Sequence, residues 1–124
     1  MSKTINFGID LGTTNSLIAK FNKGAVEVYK NPVGFKETLP SVVAFRNDRI
    51  LVGEKGRVYL EKDPKSTVGQ FKRKMGTTES YKIKSLDQSK TPIELSAFVL
   101  KELKTFIHTG ETPEAVVITI PASF

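Results

Sequence analysis

The stretch from Ile5 to Phe21 constrains the fold of this chain more than any other. Ile5, Phe7, Ile9 and Leu11 alternate with Asn6, Gly8 and Asp10, which is the period of a β-strand. The apolar side chains therefore share one face, and Asp10 lies on the other, between Gly8 and Gly12. Gly12-Thr13-Thr14-Asn15 reads as a turn, and Ser16-Leu17-Ile18-Ala19-Lys20-Phe21 is strand-like again. The pattern predicts a strand–turn–strand unit whose tip carries hydroxyls, amides and one acid.

Such a tip suits a phosphate chain with its metal. Backbone N–H groups in a tight turn make an anion-binding nest. Thr13 and Thr14 can donate hydroxyl hydrogen bonds to phosphate oxygens, beside the small amide of Asn15. Asp10 can hold Mg²⁺ through water, because Mg²⁺ keeps most of its waters. Spacing alone equally allows an ordinary β-hairpin with an acid at its shoulder, since short Gly/Thr motifs are weakly specific. A P-loop is excluded: no Gly-x-x-x-x-Gly-Lys-Ser/Thr occurs. The absence of a following helix excludes a dinucleotide fingerprint as well.

With 124 residues, 39% hydrophobic and 26% charged, the chain has the size and composition of one small globular domain. It has no cysteine, so disulfides and thiolate metal sites are excluded. No apolar run is long enough to span a bilayer, and Met1-Ser2-Lys3-Thr4 leads straight into a strand. These features predict a soluble, cytoplasmic protein without membrane contact. The net charge of +6 admits a polyanion as partner. The basic residues are dispersed, however, with only Lys72-Arg73-Lys74 contiguous, and aromatics do not interleave with them. A nucleic-acid stacking surface is not expected from that pattern.

Ala25-Val26-Glu27-Val28-Tyr29 alternates as a third strand, giving a meander. The loop from Asn31 to Lys36 ends this unit, with a subdomain boundary placed at Lys36 to Leu39. Beyond Pro40, Ser41-Val42-Val43-Ala44-Phe45 and Ile50-Leu51-Val52 read as strands. A short helix is predicted from Glu54 to Glu61, stopping before Asp63-Pro64. A second is predicted from Thr67 to Met75, capped by Ser66, with Val68, Phe71 and Met75 on one face. Lys72 in that helix reads from its surroundings as plain surface charge. Tyr81-Lys82-Ile83 is a candidate strand. Thr91-Pro92-Ile93-Glu94 has the form of a capped helix start, and the apolar stripe Leu95, Phe98, Val99, Leu103 and Phe106 carries that helix to Gly110. His108, near its end, reads as structural. Ala115 to Ile120 is β-branched and nearly continuous, like a parallel strand buried on both faces. The chain stops soon after it, at Phe124, which reads as a cut through a larger protein.

Gly8-Ile9-Asp10-Leu11-Gly12-Thr13-Thr14-Asn15-Ser16 resembles the first phosphate motif of the 70-kilodalton heat-shock chaperones, the family of bacterial DnaK. Further segments match in order: Thr38-Leu39-Pro40-Ser41-Val42-Val43-Ala44-Phe45, Val52-Gly53-Glu54, Phe71-Lys72-Arg73-Lys74-Met75-Gly76, and Ala115 to Phe124. Lys74-Met75, Gly69-Gln70 and Ser123 depart from the family pattern and mark a divergent member.

The resemblance implies the two-lobed ATPase fold shared with actin and hexokinase, an α/β fold of which this chain is a truncated N-terminal part. It implies a partial core subdomain over 1–39 and 111–124, made of a β-meander plus one further core strand. A small α+β subdomain over 40–110 would be inserted into it. By the same resemblance Asp10 is the acid that organises Mg²⁺. Gly12, Thr13, Thr14 and Asn15 form the turn around the phosphates of ATP or ADP. Lys72 is the catalytic lysine that reaches the γ-phosphate, which displaces its surface reading. The full-length parent would be an ATP-driven chaperone with unfolded client proteins and co-chaperones as partners. This chain alone is expected to be catalytically inactive and prone to self-association. Two rival readings remain at this stage. One is another ATPase or a sugar kinase of the same superfamily; the other is a small module that binds a protein or polyanion.

Overall fold

The computed structural model describes residues 7–22, 24–32, 34–71, 77–107 and 116–119. Its main sheet grows from the opening alternation. Strand β1 (Phe7–Leu11) pairs antiparallel with β2 (Asn15–Asn22), and β2 pairs with β3 (Ala25–Val28). The last described strand, β10 (Val116–Thr119), lies parallel to β1, with Phe7 opposite Val116 and Asp10 opposite Thr119. The sheet order is β10-β1-β2-β3, so the meander and the added parallel strand stand as the sequence pattern predicts. Ile118 is 41% exposed, however, so β10 is open on one face. Its apolar composition would suit a strand covered on both faces, and at Ile118 the described residues do not cover it.

A fifth strand of this sheet escapes the sequence pattern. Leu39–Pro40 (β4) pairs antiparallel with the start of β2, Asn15 opposite Pro40 and Ser16 opposite Leu39. Two residues cannot show a periodicity, and Pro lacks the N–H of an ordinary strand residue.

The chain then builds a second, three-stranded sheet ordered β6-β5-β7, from β5 (Val42–Phe45), β6 (Ile50–Val52) and β7 (Thr67–Gly69). Here β7 replaces the start of the helix predicted from Thr67 to Met75. Thr67, Val68 and Gly69 are all poor helix formers, and β5 offers them a free edge, pairing Val42 with Gly69 and Ala44 with Thr67. Ser66 caps no helix; its Oγ accepts from the N–H of Ser85 at 2.9 Å. Val68 and Phe71 are buried as expected, while Lys72 and Met75 lie outside the described residues. The helix predicted from Glu54 to Glu61 is split into α1 (Glu54–Arg57) and α2 (Tyr59–Lys62). Gly56 inside it and the β-branched Val58 at the break both weaken a continuous helix.

Strands β8 (Tyr81–Ile83) and β9 (Gln88–Lys90) form a separate hairpin. Helix α3 (Pro92–Lys104) starts as its sequence predicts, with Thr91 and Glu94 closing a capping box. It ends earlier than Gly110. The N–H groups of Thr105, Phe106 and Ile107 bond three residues back, to Glu102, Leu103 and Lys104, the tightened pattern of a final turn. His108 and Gly110 lie outside the described residues. One apolar cluster joins these parts: Phe7, Leu11 and Ile18 from the main sheet, Val43 and Phe45 from the second, and Leu95, Val99 and Leu103 from α3. Each fully buried side chain of this kind contributes roughly 1.5–3 kcal/mol.

Candidate functional site

The first hairpin presents the candidate site. Its ladder runs from Phe7 opposite Lys20 to Leu11 opposite Ser16. Alternation buries Ile9 and Leu11 and leaves Asp10 exposed on the other face, at the turn end of the strand. Asp10 sits in register between Leu17 of β2 and Thr119 of β10. The turn folds tightly back on itself: a Cβ on Gly12 would meet the carbonyl oxygen of Asn15 at 2.2 Å. No side chain fits there, so glycine is required for close approach rather than for an unusual φ.

The turn is held from outside. The N–H of Ser41 donates to the carbonyl of Thr14 at 2.9 Å. The Ser41 hydroxyl donates to the carbonyl of Gly12 at 2.9 Å. A third contact joins the Ser16 and Ser41 hydroxyls at 2.8 Å. Each hydroxyl has one proton, and that of Ser41 goes to Gly12, so Ser16 is the donor to Ser41. Both serines are 1% exposed. Behind them Gly53, at φ 83°, lets Leu39 pack against its Cα, where a Cβ would lie 2.2 Å from Leu39 Cδ1. This packing braces β4 and, through it, Ser41.

Asp10, Gly12, Thr13, Thr14 and Asn15 therefore gather at one end of the hairpin, as the sequence predicts. Asn15 belongs to β2 rather than to the turn proper. Gly12 and Thr13 are half-buried; Thr14 and Asn15 are exposed. Among the described residues the N–H groups of Thr13 and Thr14 have no hydrogen-bond partner. Lys72 lies outside the described residues. A cavity of about 390 Å³ lies beside Thr38, Leu39 and Pro40, but neither Asp10 nor the turn lines it. Among the described residues the candidate site is an exposed tip, with Asp10, Thr14 and Asn15 open to solvent.

No group of three or more His, Cys, Asp or Glu residues that could hold a metal ion occurs among the described residues. One exposed carboxylate suits a Mg²⁺ that arrives on phosphates and keeps its waters, not a metal held by protein alone. Sequence reasoning missed the roles of Ser16 and Ser41. Their only local signal is a pair of small hydroxyl residues in strands, which is too common to point anywhere.

Comparison with known proteins gives this geometry a family. The family described as Hsp70 protein matches residues 6–124. "Chaperone protein DnaK" of Mycoplasma mobile is 44% identical over 126 residues, covering 100% of this chain and 20% of that protein. "Chaperone protein DnaK" of Thermotoga petrophila is 48% identical over 122 residues, covering 94% of this chain and 20% of that protein. The chain spans about a fifth of the length of the curated relatives it matches. A match of this extent decides among the ATPases and kinases that share a Gly-Thr hairpin: the chain belongs to the Hsp70 family.

Proposed function

We propose that this chain supplies the first phosphate-binding turn of an ATP-dependent molecular chaperone. The observation that carries this reading is the turn itself. Its carbonyls at Gly12 and Thr14 are taken by Ser41, its amides at Thr13 and Thr14 have no partner among the described residues, and Asp10 stands exposed beside it. In the proposal, Gly12, Thr13, Thr14 and Asn15 bind the phosphates of ATP or ADP. Asp10 orients a Mg²⁺ through its waters, and that ion would neutralise charge on the phosphates. Lys72 reaches the γ-phosphate. Phosphoryl transfer to water depends chiefly on positioning and electrostatic stabilisation, so a cation and an acid placed on either side of the phosphate would both matter.

Within this reading, residues 1–39 and 111–124 form part of a core subdomain of an actin-like ATPase lobe, and 40–110 an inserted one. The chain alone carries one phosphate turn, binds Mg-ATP weakly and does not turn it over. Unfolded clients and co-chaperones belong to the whole protein. The exposed pair Phe21 and Val26, opposite each other on β2 and β3, favours self-association of the chain by itself.

Titration of the isotopically labelled chain with millimolar Mg-ATP tests the reading. The amides of Gly12 to Asn15 should shift, with a weaker response in Asp10→Ala and in Lys72→Ala. Shifts confined to other residues, or equal responses in all three proteins, would overturn it.

A further inference from the structure

A tight turn ordinarily closes on itself, a carbonyl accepting the N–H three residues on. Such a bond occupies an amide. The turn at Gly12–Asn15 is held differently, because one distant residue takes two of its carbonyls. Ser41 binds Gly12 through its hydroxyl, across 29 positions of sequence, and Thr14 through its N–H. Behind it Ser16 donates to Ser41, so a buried relay runs from Ser16 through Ser41 to the Gly12 carbonyl. Successive hydrogen bonds of this kind polarise and strengthen one another. At 1% exposure neither serine has water as a substitute partner.

We propose that Ser41, supported by Ser16, is a positioning residue for phosphate binding: it holds the carbonyls of the turn so that the amides of Thr13 and Thr14 stay available to a phosphoryl group. This rests on the phosphate reading given above and deepens it. The bland alternative is a pair of buried serines that merely stabilise the fold. Such a role would lower stability and leave the turn unchanged in any protein that still folds. The positioning role changes the turn itself. It also links the turn to the second sheet, since Ser41 runs directly into β5.

The test compares the labelled chain with Ser41→Ala, Ser16→Ala and Ser66→Ala. Ser66 is a buried serine that bonds Ser85 and does not touch the turn, so its loss reports on stability alone. Ser41→Ala should move the Gly12 carbonyl resonance and drop the order parameters of the Thr13 and Thr14 amides from about 0.85 to below about 0.6. Ser16→Ala keeps the Ser41–Gly12 bond and should show the same changes at smaller size. Ser66→Ala should lower the melting temperature without either change. Mg-ATP affinity should fall about fivefold in Ser41→Ala. An unchanged Gly12 carbonyl with a rigid turn in folded Ser41→Ala overturns the proposal, whether or not nucleotide binds. Should Ser41→Ala not fold, an unchanged turn in Ser16→Ala overturns it equally. A turn that loosens in a chain whose parent ignores Mg-ATP supports the clasp and removes the phosphate assignment instead.

Discussion

Two hairpins in this molecule solve the same problem in opposite ways. In the β5–β6 hairpin the turn Arg46-Asn47-Asp48-Arg49 closes locally, the N–H of Arg46 donating to the carbonyl of Arg49 at 2.9 Å. Its anchor is a side chain: Arg46 pairs with Asp63 at 2.8 Å and lies over the Tyr59 ring at 4.3 Å. In the β1–β2 hairpin the backbone of the turn is held by Ser41, the residue that joins β4 to β5. A turn closed on itself uses its own polar groups. A turn clasped from outside can leave amides for a ligand, and it needs a longer-range fold to hold it. The second kind is the one found beside Asp10.

The sharpest way to break this comparison is Gly12→Ala. The new methyl would press on the Asn15 carbonyl, a backbone atom that cannot move without opening the turn. The expected loss is about 3 kcal/mol, read by chemical denaturation. Asp48→Ala, on the exposed self-closed turn, should stay within about 0.5 kcal/mol. Equal costs at both sites would remove the distinction.

Gly53→Ala attacks the clasp from behind. The substitution is strained at φ 83° and pushes on Leu39 Cδ1, but a leucine side chain can yield. A loss of about 1–2 kcal/mol is expected, together with a shift of the Gly12 carbonyl resonance although Gly53 makes no bond to Gly12. Lost stability with an undisturbed Gly12 would show that β4 does not transmit strain to the turn.

The same contrast explains what was legible in the sequence. Features written in neighbouring residues were readable: the alternation of Phe7, Ile9 and Leu11, the capping box of Thr91 and Glu94, and the β-branched run that forms β10. Asp10 and the Gly12–Asn15 tip were readable as a candidate site for the same reason. Features that depend on a distant partner were not. Val68 and Phe71 fit a helical stripe, and only the free edge of β5 makes Thr67–Gly69 a strand. The clasp of Ser41 on Gly12 and Thr14 joins segments whose proximity no local pattern encodes. Resemblance to a family implied a ligand for the tip but gave Ser41 no role.

The smallest effect sharpens the comparison from the local side. The start of α3 is closed within four residues. The Glu94 carboxylate accepts from the Thr91 N–H at 3.0 Å and the Thr91 hydroxyl at 3.2 Å, while Thr91 Oγ1 accepts from the Glu94 N–H. The hydrogen bond from the Thr91 backbone, with lesser help from its hydroxyl and from Lys90, holds the Glu94 carboxyl below the ordinary glutamate range. A depressed folded value means that the unfolded chain binds its proton first as pH falls. The stabilisation is therefore complete above the ordinary glutamate pKa and is lost as pH drops through the lower folded value. Because Glu94 is exposed, the loss should be small. Glu94→Gln should flatten that acid limb of the stability curve and leave the Gly12 carbonyl where it was. An unchanged acid limb would mean that the box contributes nothing through charge. A moved Gly12 resonance would mean that a locally closed helix end reaches the clasped turn, and the separation between the two kinds of closure would fail.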